Sequence, residues 1–200
     1  MNIIQEYIPI GRINRPGRDN PMKYITIHET GNTGKGANAK AHAAWLKNLN
    51  DKVSYHYTVD DKEAYQHLPD NEDAFHAGDG AGTGNRQSIG IEICVNSDGD
   101  FGRACENAAW LVRKLMSEHK IPAHNIVQHN YWNGKNCPRN LRAGGWPDFL
   151  EMCKDKNVPS TWAKEAWDKA VKKNITDGTR PKDPATREEV ITLLSRAGVI

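Results

Sequence analysis

The chain has 200 residues, 38% hydrophobic and 26% charged, which suits one medium domain, or a domain of about 150 residues with a small module attached. Net charge is +2: residues 154–200 hold ten Lys/Arg and seven Asp/Glu and residues 1–153 hold 17 and 18, a balance that argues against a nucleic-acid partner. No run approaches the roughly 20 apolar residues of a membrane span. The start, MNIIQEYIPIGRINRPG, lacks the basic, apolar and small-residue parts of a signal peptide, so the expectation is a soluble protein made in the cytoplasm.

Residues 23–28 (KYITIH) alternate and predict a strand with Ile25 and Ile27 on one face and Thr26 and His28 on the other. GNTGKGAN reads as a loop, and residues 37–49 as a helix carrying Trp45, Leu46 and Leu49. Residues 53–59 (VSYHYTV) and 63–68 read as strands of a hairpin about the Asp60-Asp61-Lys62 turn, and residues 70–86 as Gly-rich loop. Residues 89–95 (IGIEICV) form the most apolar strand, expected at the centre of the sheet. Ala104, Ala108, Leu111, Val112 and Leu115 recur with the spacing of one helix face over residues 103–119. Residues 126–128 read as a short strand and 146–153 as a helix.

Composition then shifts. Residues 154–159 are a polar, Pro-ended linker, residues 160–173 are amphipathic, and Thr186-Arg-Glu-Glu189 is a capping box opening a last helix. The expected division is 1–153, a linker at 154–159, and a small helical module at 160–200.

Cys94, Cys105, Cys137 and Cys153 form no CxxC pair and are expected as free thiols, one of them a possible metal ligand. Most of the eight histidines have structural readings. His119 and His124 flank a helix end, His42 sits in an Ala-rich helix, and His67 ends a hairpin strand. His56 shares a face with Ser54 and Thr58 and is expected to make a structural hydrogen bond. His76, in the loop FHAGDG, is a candidate substrate contact. His28 and His129 end predicted strands, where open sheets present side chains to a ligand crevice. Cys137 follows His129 by eight residues, far enough for a loop to bring its thiolate back. A His/His/Cys set leaves a fourth position open for water, as catalytic zinc sites do. Glu92 is the one charge in IGIEICV, and burying it costs several kcal/mol unless a partner compensates. A structural ion pair and a place beside a metal both fit these residues.

The segments IIQEYIPIGRINRPG, YITIHET, SYHYTVDDKEAYQHLP, FHAGDGAGTGNRQSIGIEICVNSDGDF and HNYWNGKNCPRNL occur in order over residues 1–153. This stretch resembles the zinc N-acetylmuramoyl-L-alanine amidases of the amidase type 2 family, which includes phage endolysins and prophage autolysins. The resemblance implies an α/β fold, a central mixed β-sheet flanked by helices as in T7 lysozyme and the peptidoglycan recognition proteins. It implies Zn²⁺ held by His28, His129 and Cys137, with Glu92 as catalytic acid/base, Lys135 stabilising the transition state, and Tyr55 matching a tyrosine important in T7 lysozyme. The implied substrate is peptidoglycan, cut between N-acetylmuramic acid and L-alanine, with release to the cell wall through a holin. Residues 160–200 resemble a single S-layer-homology-type module, which implies binding to a secondary cell-wall polymer or self-association into a homo-oligomer. The competing readings are a non-catalytic peptidoglycan binder, which requires a broken ligand set, and a thiol hydrolase using Cys137 with His129.

Overall fold

The computed structural model describes residues 1–154, 159, 162–179, 181 and 185–200. It divides into two compact units, Met1–Cys153 and Lys154–Ile200.

In the first unit a six-stranded sheet is built from β1 (Asn2–Gln5), β2 (Tyr24–Glu29), β3 (Tyr57–Val59), β4 (Glu63–Gln66), β5 (Ser88–Ile93) and β6 (Ile126–Gln128), in the order β1-β4-β3-β5-β2-β6. The β3–β4 hairpin is antiparallel and every other pairing is parallel. This is the expected mixed sheet, with the IGIEIC strand inside it. Ile25, Ile27, Ile89, Ile91 and Ile93 are fully buried on one face, against helix α3 (Phe101–His119) and helix α5 (Trp146–Met152). Thr26, His28, Gly90 and Glu92 alternate to the opposite face. Helix α3 starts where the Asp100 side chain accepts from the Arg103 N–H and ends at Lys120, which takes the left-handed conformation at φ 59°. Its buried stripe, including Ala104, Ala108, Leu111, Val112 and Leu115, is the apolar set expected from spacing. Helix α1 (Ala39–Asn48), capped by Asn38, seats Ala39, Ala43 and Leu46 on the other side of the sheet.

Three local expectations need correction. Residues 53–55 leave the ladder, the Ser54 N–H bonding the Phe75 carbonyl, whereas His56 keeps backbone bonds to Gly90 and His67 while its ring accepts the Gly90 N–H. His56 thus makes its structural hydrogen bonds, to Gly90 at 3.0 Å and the Glu72 carbonyl at 2.8 Å. The Gly-rich loop contains helix α2 (Thr83–Gln87), and Asn2–Gln5 adds an edge strand beside β4. All four cysteines are free and buried.

The second unit contains α6 (Lys164–Lys172) and α7 (Arg187–Arg196), numbered after the short helix α4 (Asn130–Asn133) of the first. The Thr186/Glu189 capping box is formed in both directions. Neither helix buries a residue completely. Of the linker, residues 155–158 lie outside the described residues, as do residues 160 and 161. Among the described residues no helix is long and apolar enough to cross a membrane.

His67 is buried below the sheet, its Nε2 2.8 Å from Thr58 Oγ1 and its Nδ1 without a partner. Burial, then the neighbouring His42 and His56, push its pKa down to about 3. The unfolded chain takes up this proton near pH 6.5 and the folded chain does not. Stability from this residue is therefore present above about pH 6.5 and lost as pH falls toward 3, by up to about 1.4 kcal/mol per pH unit. The stability gap between wild type and His67→Gln, measured by urea unfolding at pH 7 and pH 5, should narrow at the lower pH. A gap independent of pH would rule out this source of acid sensitivity.

Candidate functional site

Three parallel strands deliver the site. The β2–β5 register sets His28 beside Glu92. Strand β6 runs parallel to β2 on its other side, and the His129 N–H continues the ladder to the Ile27 carbonyl at 3.2 Å. Helix α4 then turns the chain, ending at Gly134 with φ 80°, a conformation glycine adopts without steric cost. Asn130 closes the loop: its N–H reaches the Cys137 carbonyl at 3.0 Å and its side-chain amide the Lys135 carbonyl at 2.9 Å. Beyond Cys137, the Glu29 carboxylate accepts the N–H groups of Asn140 and Leu141, both at 2.9 Å.

The result is a convergence of three donor atoms. His28 Nδ1 and His129 Nδ1 are 3.0 Å apart, and Cys137 Sγ is 3.9 Å from His28 Nδ1. All three residues are buried and their ligand atoms lie within 4.8 Å of one another. Burial, then the fields of His76 and His129, hold the His28 pKa well below its ordinary value. Burial and then the Lys135 charge lower that of His129. Burial, then Glu92, push the Cys137 thiol up to about 11. Two neutral imidazoles and a thiol that ionises only against a cation fit Zn²⁺ by donor type and by proximity.

Glu92 stands next to this cluster, Oε1 3.9 Å from His28 Nδ1, with 15% of its side chain exposed. Its other oxygen is buried and has no partner. Burial raises its pKa to about 8, opposed by the Lys135 charge and reinforced by Glu29. Among the described residues no Arg or Lys forms an ion pair with it, so the structural ion pair is not what this carboxylate makes. Lys135 is exposed on the loop before Cys137, and its charge acts on His28, His129, Cys137 and Glu92 together.

Glu92 also lines a cavity of about 520 Å³ with Tyr55, Thr30, His42 and Trp45. The Tyr55 hydroxyl lies 3.5 Å from His42 Nδ1. Burial, then the Glu92 charge, raise its pKa, so it keeps its proton. Three buried polar atoms that lack partners, Thr30 Oγ1, His42 Nε2 and Glu92 Oε2, all belong to residues lining this cavity. Thr30, His42 and Trp45 carry no signal as site residues in the sequence. The i, i+3 spacing of His42 and Trp45 is the one hint, and it reads equally as core.

His76 is placed differently from its expected role as a substrate contact. It is 8% exposed, does not line the cavity, and its Nδ1 lies 2.9 Å from His28 Nε2. It backs a ligand instead of facing solvent.

The family model described as N-acetylmuramoyl-L-alanine amidase matches residues 18–140. N-acetylmuramoyl-L-alanine amidase XlyA of Bacillus subtilis (strain 168) is 59% identical over 149 residues, covering 74% of this chain and 50% of that protein. Amidase CwlH of the same organism is 52% identical over 160 residues, covering 80% and 64%. This chain therefore spans about half to two thirds of the length of these curated relatives. Among solved structures, the catalytic domain of XlyA superposes with a TM-score of 0.75 at 55% identity, covering 77% of this chain and all of that one. PlyL superposes with a TM-score of 0.72 at 36% identity, covering 78% and 98%. The chain, through its first unit, belongs to the N-acetylmuramoyl-L-alanine amidase family.

Proposed function

We propose that the first unit is a zinc-dependent peptidoglycan hydrolase that cuts the amide between the lactyl group of N-acetylmuramic acid and the L-alanine of the stem peptide. The observation that carries this is the convergence of His28 Nδ1, His129 Nδ1 and Cys137 Sγ beside a carboxylate with a free buried oxygen. Zn²⁺ held by these three residues supplies Lewis acidity and a water acidified to a pKa of about 7. Glu92 accepts a proton from the attacking water as its oxygen bonds the carbonyl carbon. It returns that proton to the departing alanine nitrogen as the C–N bond breaks. The products are a muramic carboxylic acid and a free L-alanine amino terminus. Lys135 offsets the negative charge that develops on the carbonyl oxygen. Tyr55, held protonated, offers its hydroxyl to the bound substrate.

The lining of the cavity bears no fixed charge except Glu92, which suits an uncharged part of the substrate lying across the indole of Trp45. Thr30 and His42 supply hydrogen-bond partners there. A thiol mechanism at Cys137 is disfavoured, because a thiol pushed up to about 11 is un-ionised at neutral pH.

For the second unit, we propose binding of a secondary cell-wall polymer. A cavity of about 390 Å³ lined by Trp167, Thr179, Leu193 and Arg196, among others, supports this reading. Pull-down on cell walls should weaken when residues 160–200 are deleted. Unchanged binding, with a change in sedimentation instead, would assign the module to self-association. The enzyme would be made in the cytoplasm and reach the wall through a holin or on lysis.

Chelation should abolish release of L-alanine amino termini and Zn²⁺ should restore it, with no new reducing sugar ends. Full activity in metal-free protein, or loss on alkylation without a metal requirement, would overturn the metal mechanism. Glu92→Gln should retain zinc and lose turnover by at least about 100-fold. Near-normal turnover would remove Glu92 from the chemistry. Trp45→Ala should raise KM several-fold with kcat little changed, and a fall in kcat at constant KM would argue against a binding role.

A further inference from the structure

Each imidazole in the candidate metal cluster presents Nδ1 to its neighbours and turns Nε2 away. Behind those two Nε2 atoms lies one dipeptide, His76–Ala77, reached directly by His28 and through Asn133 by His129. His28 Nε2 is 2.9 Å from His76 Nδ1, and His129 Nε2 is 3.2 Å from the Asn133 amide nitrogen, which donates to the Ala77 carbonyl at 3.0 Å. The dipeptide is in turn held by a single side chain: Asn85 Oδ1 accepts the His76 N–H at 2.8 Å and the Ala77 N–H at 2.7 Å. Asn85 is 4% exposed. Its amide nitrogen is fixed by the Gly80 carbonyl at 2.9 Å, which settles which end of the side chain is oxygen.

The hydrogen-bond directions around this dipeptide can be deduced. The Ser88 hydroxyl donates to the Gly84 carbonyl at 2.8 Å, so it has no proton to offer His76 Nε2, 3.4 Å away. His76 therefore carries its proton on Nε2, leaving Nδ1 as an acceptor, and His28 must donate to it from Nε2. Thr26 Oγ1, receiving the Trp132 indole N–H at 2.9 Å, completes the chain by donating to Ser88 Oγ at 2.7 Å. On the other side, the Asn133 amide nitrogen donates to the Ala77 carbonyl at 3.0 Å and lies 3.2 Å from His129 Nε2.

His28 is thus left with a bare Nδ1 lone pair turned toward His129 Nδ1 and Cys137 Sγ. Gly90 contributes by absence: a Cβ there would stand 2.8–3.0 Å from three atoms of the His76 ring.

We propose that Asn85 is a positioning residue for the metal centre. Through His76, whose backbone N–H it holds, it fixes His28 in the Nε2–H tautomer that presents Nδ1 to a divalent cation. This rests on the metal reading above. It adds that the ligand set depends on a residue that touches neither ligand, and on a neutral histidine as the outer partner of His28, where a carboxylate, a backbone carbonyl or water is the usual one.

The test is zinc affinity of the intact chain, by competition with a chromophoric chelator, alongside NMR of the imidazole N–H protons in the zinc-loaded protein. Asn85→Ala and His76→Phe should each weaken zinc binding about 10–100-fold. Asn85→Asp, which keeps the accepting oxygen, should bind more tightly than Asn85→Ala. The His28 Nε2–H signal should be protected from water exchange in the wild type. It should be lost in His76→Phe and broaden in Asn85→Ala. Should Asn85→Ala fail to fold, the His76→Phe pattern and the affinity of Asn85→Asp decide the matter. Wild-type affinity in these variants, or equal losses in the Ala and Asp variants, would overturn the proposal. No zinc uptake by the wild type would instead overturn the metal reading itself, a separate outcome.

Discussion

The parallel pairing of β2 with β5 and β6 is the constraint on which the rest of the molecule depends. Parallel strands in register end together, and what they end on here is His28, Glu92 and, one step past β6, His129. The register is enforced from the opposite face, where Ile25, Ile27, Ile89, Ile91 and Ile93 are fully buried. Slipping one strand by a residue would turn its isoleucines into the site and its polar residues into the core. Burying a carboxylate or an imidazole there without partners costs several kcal/mol. The apolar face therefore specifies the polar one.

Much of this was legible in the sequence, and the reasons differ by element. The strand KYITIH, the apolar run IGIEICV and the helix over residues 103–119 announce themselves because their periodicity is set by one buried face. The strand at Asn2–Gln5 and the irregular path of residues 53–55 do not, because partners distant in the chain decide them. Helix α2 is five residues long in a Gly-rich stretch, too short for a period to show. Within the site, His28 and His129 were visible as strand-end histidines, and Glu92 as a lone charge among isoleucines. His76 reads as an exposed substrate contact because it sits in a Gly-rich loop. Its burial comes from the space above Gly90, which no spacing rule reveals. Asn85 left no signal, since its importance lies in the two backbone groups it holds.

The electrostatics of the site carry the argument furthest. Burial drives every ionisable group of the cluster toward its neutral form: His28, His76 and His129 downward, Cys137 and Glu92 upward. A pocket made entirely of groups that resist charge is unfavourable to an anion and to an isolated proton alike. It suits a compact divalent cation, against which Cys137 can give up its proton at little cost. The field that lets Cys137 ionise also favours the carboxylate form of Glu92, the form needed to accept a proton from water. Metal affinity and a competent base are then two readings of one buried charge. Such binding would release the Cys137 proton, so affinity would strengthen as pH rises. Lys135, exposed on the loop just ahead of Cys137, favours the ionised forms of that thiol and of Glu92 while opposing charge on both histidines. One loop thereby carries both a candidate ligand and the cation that steadies its charge.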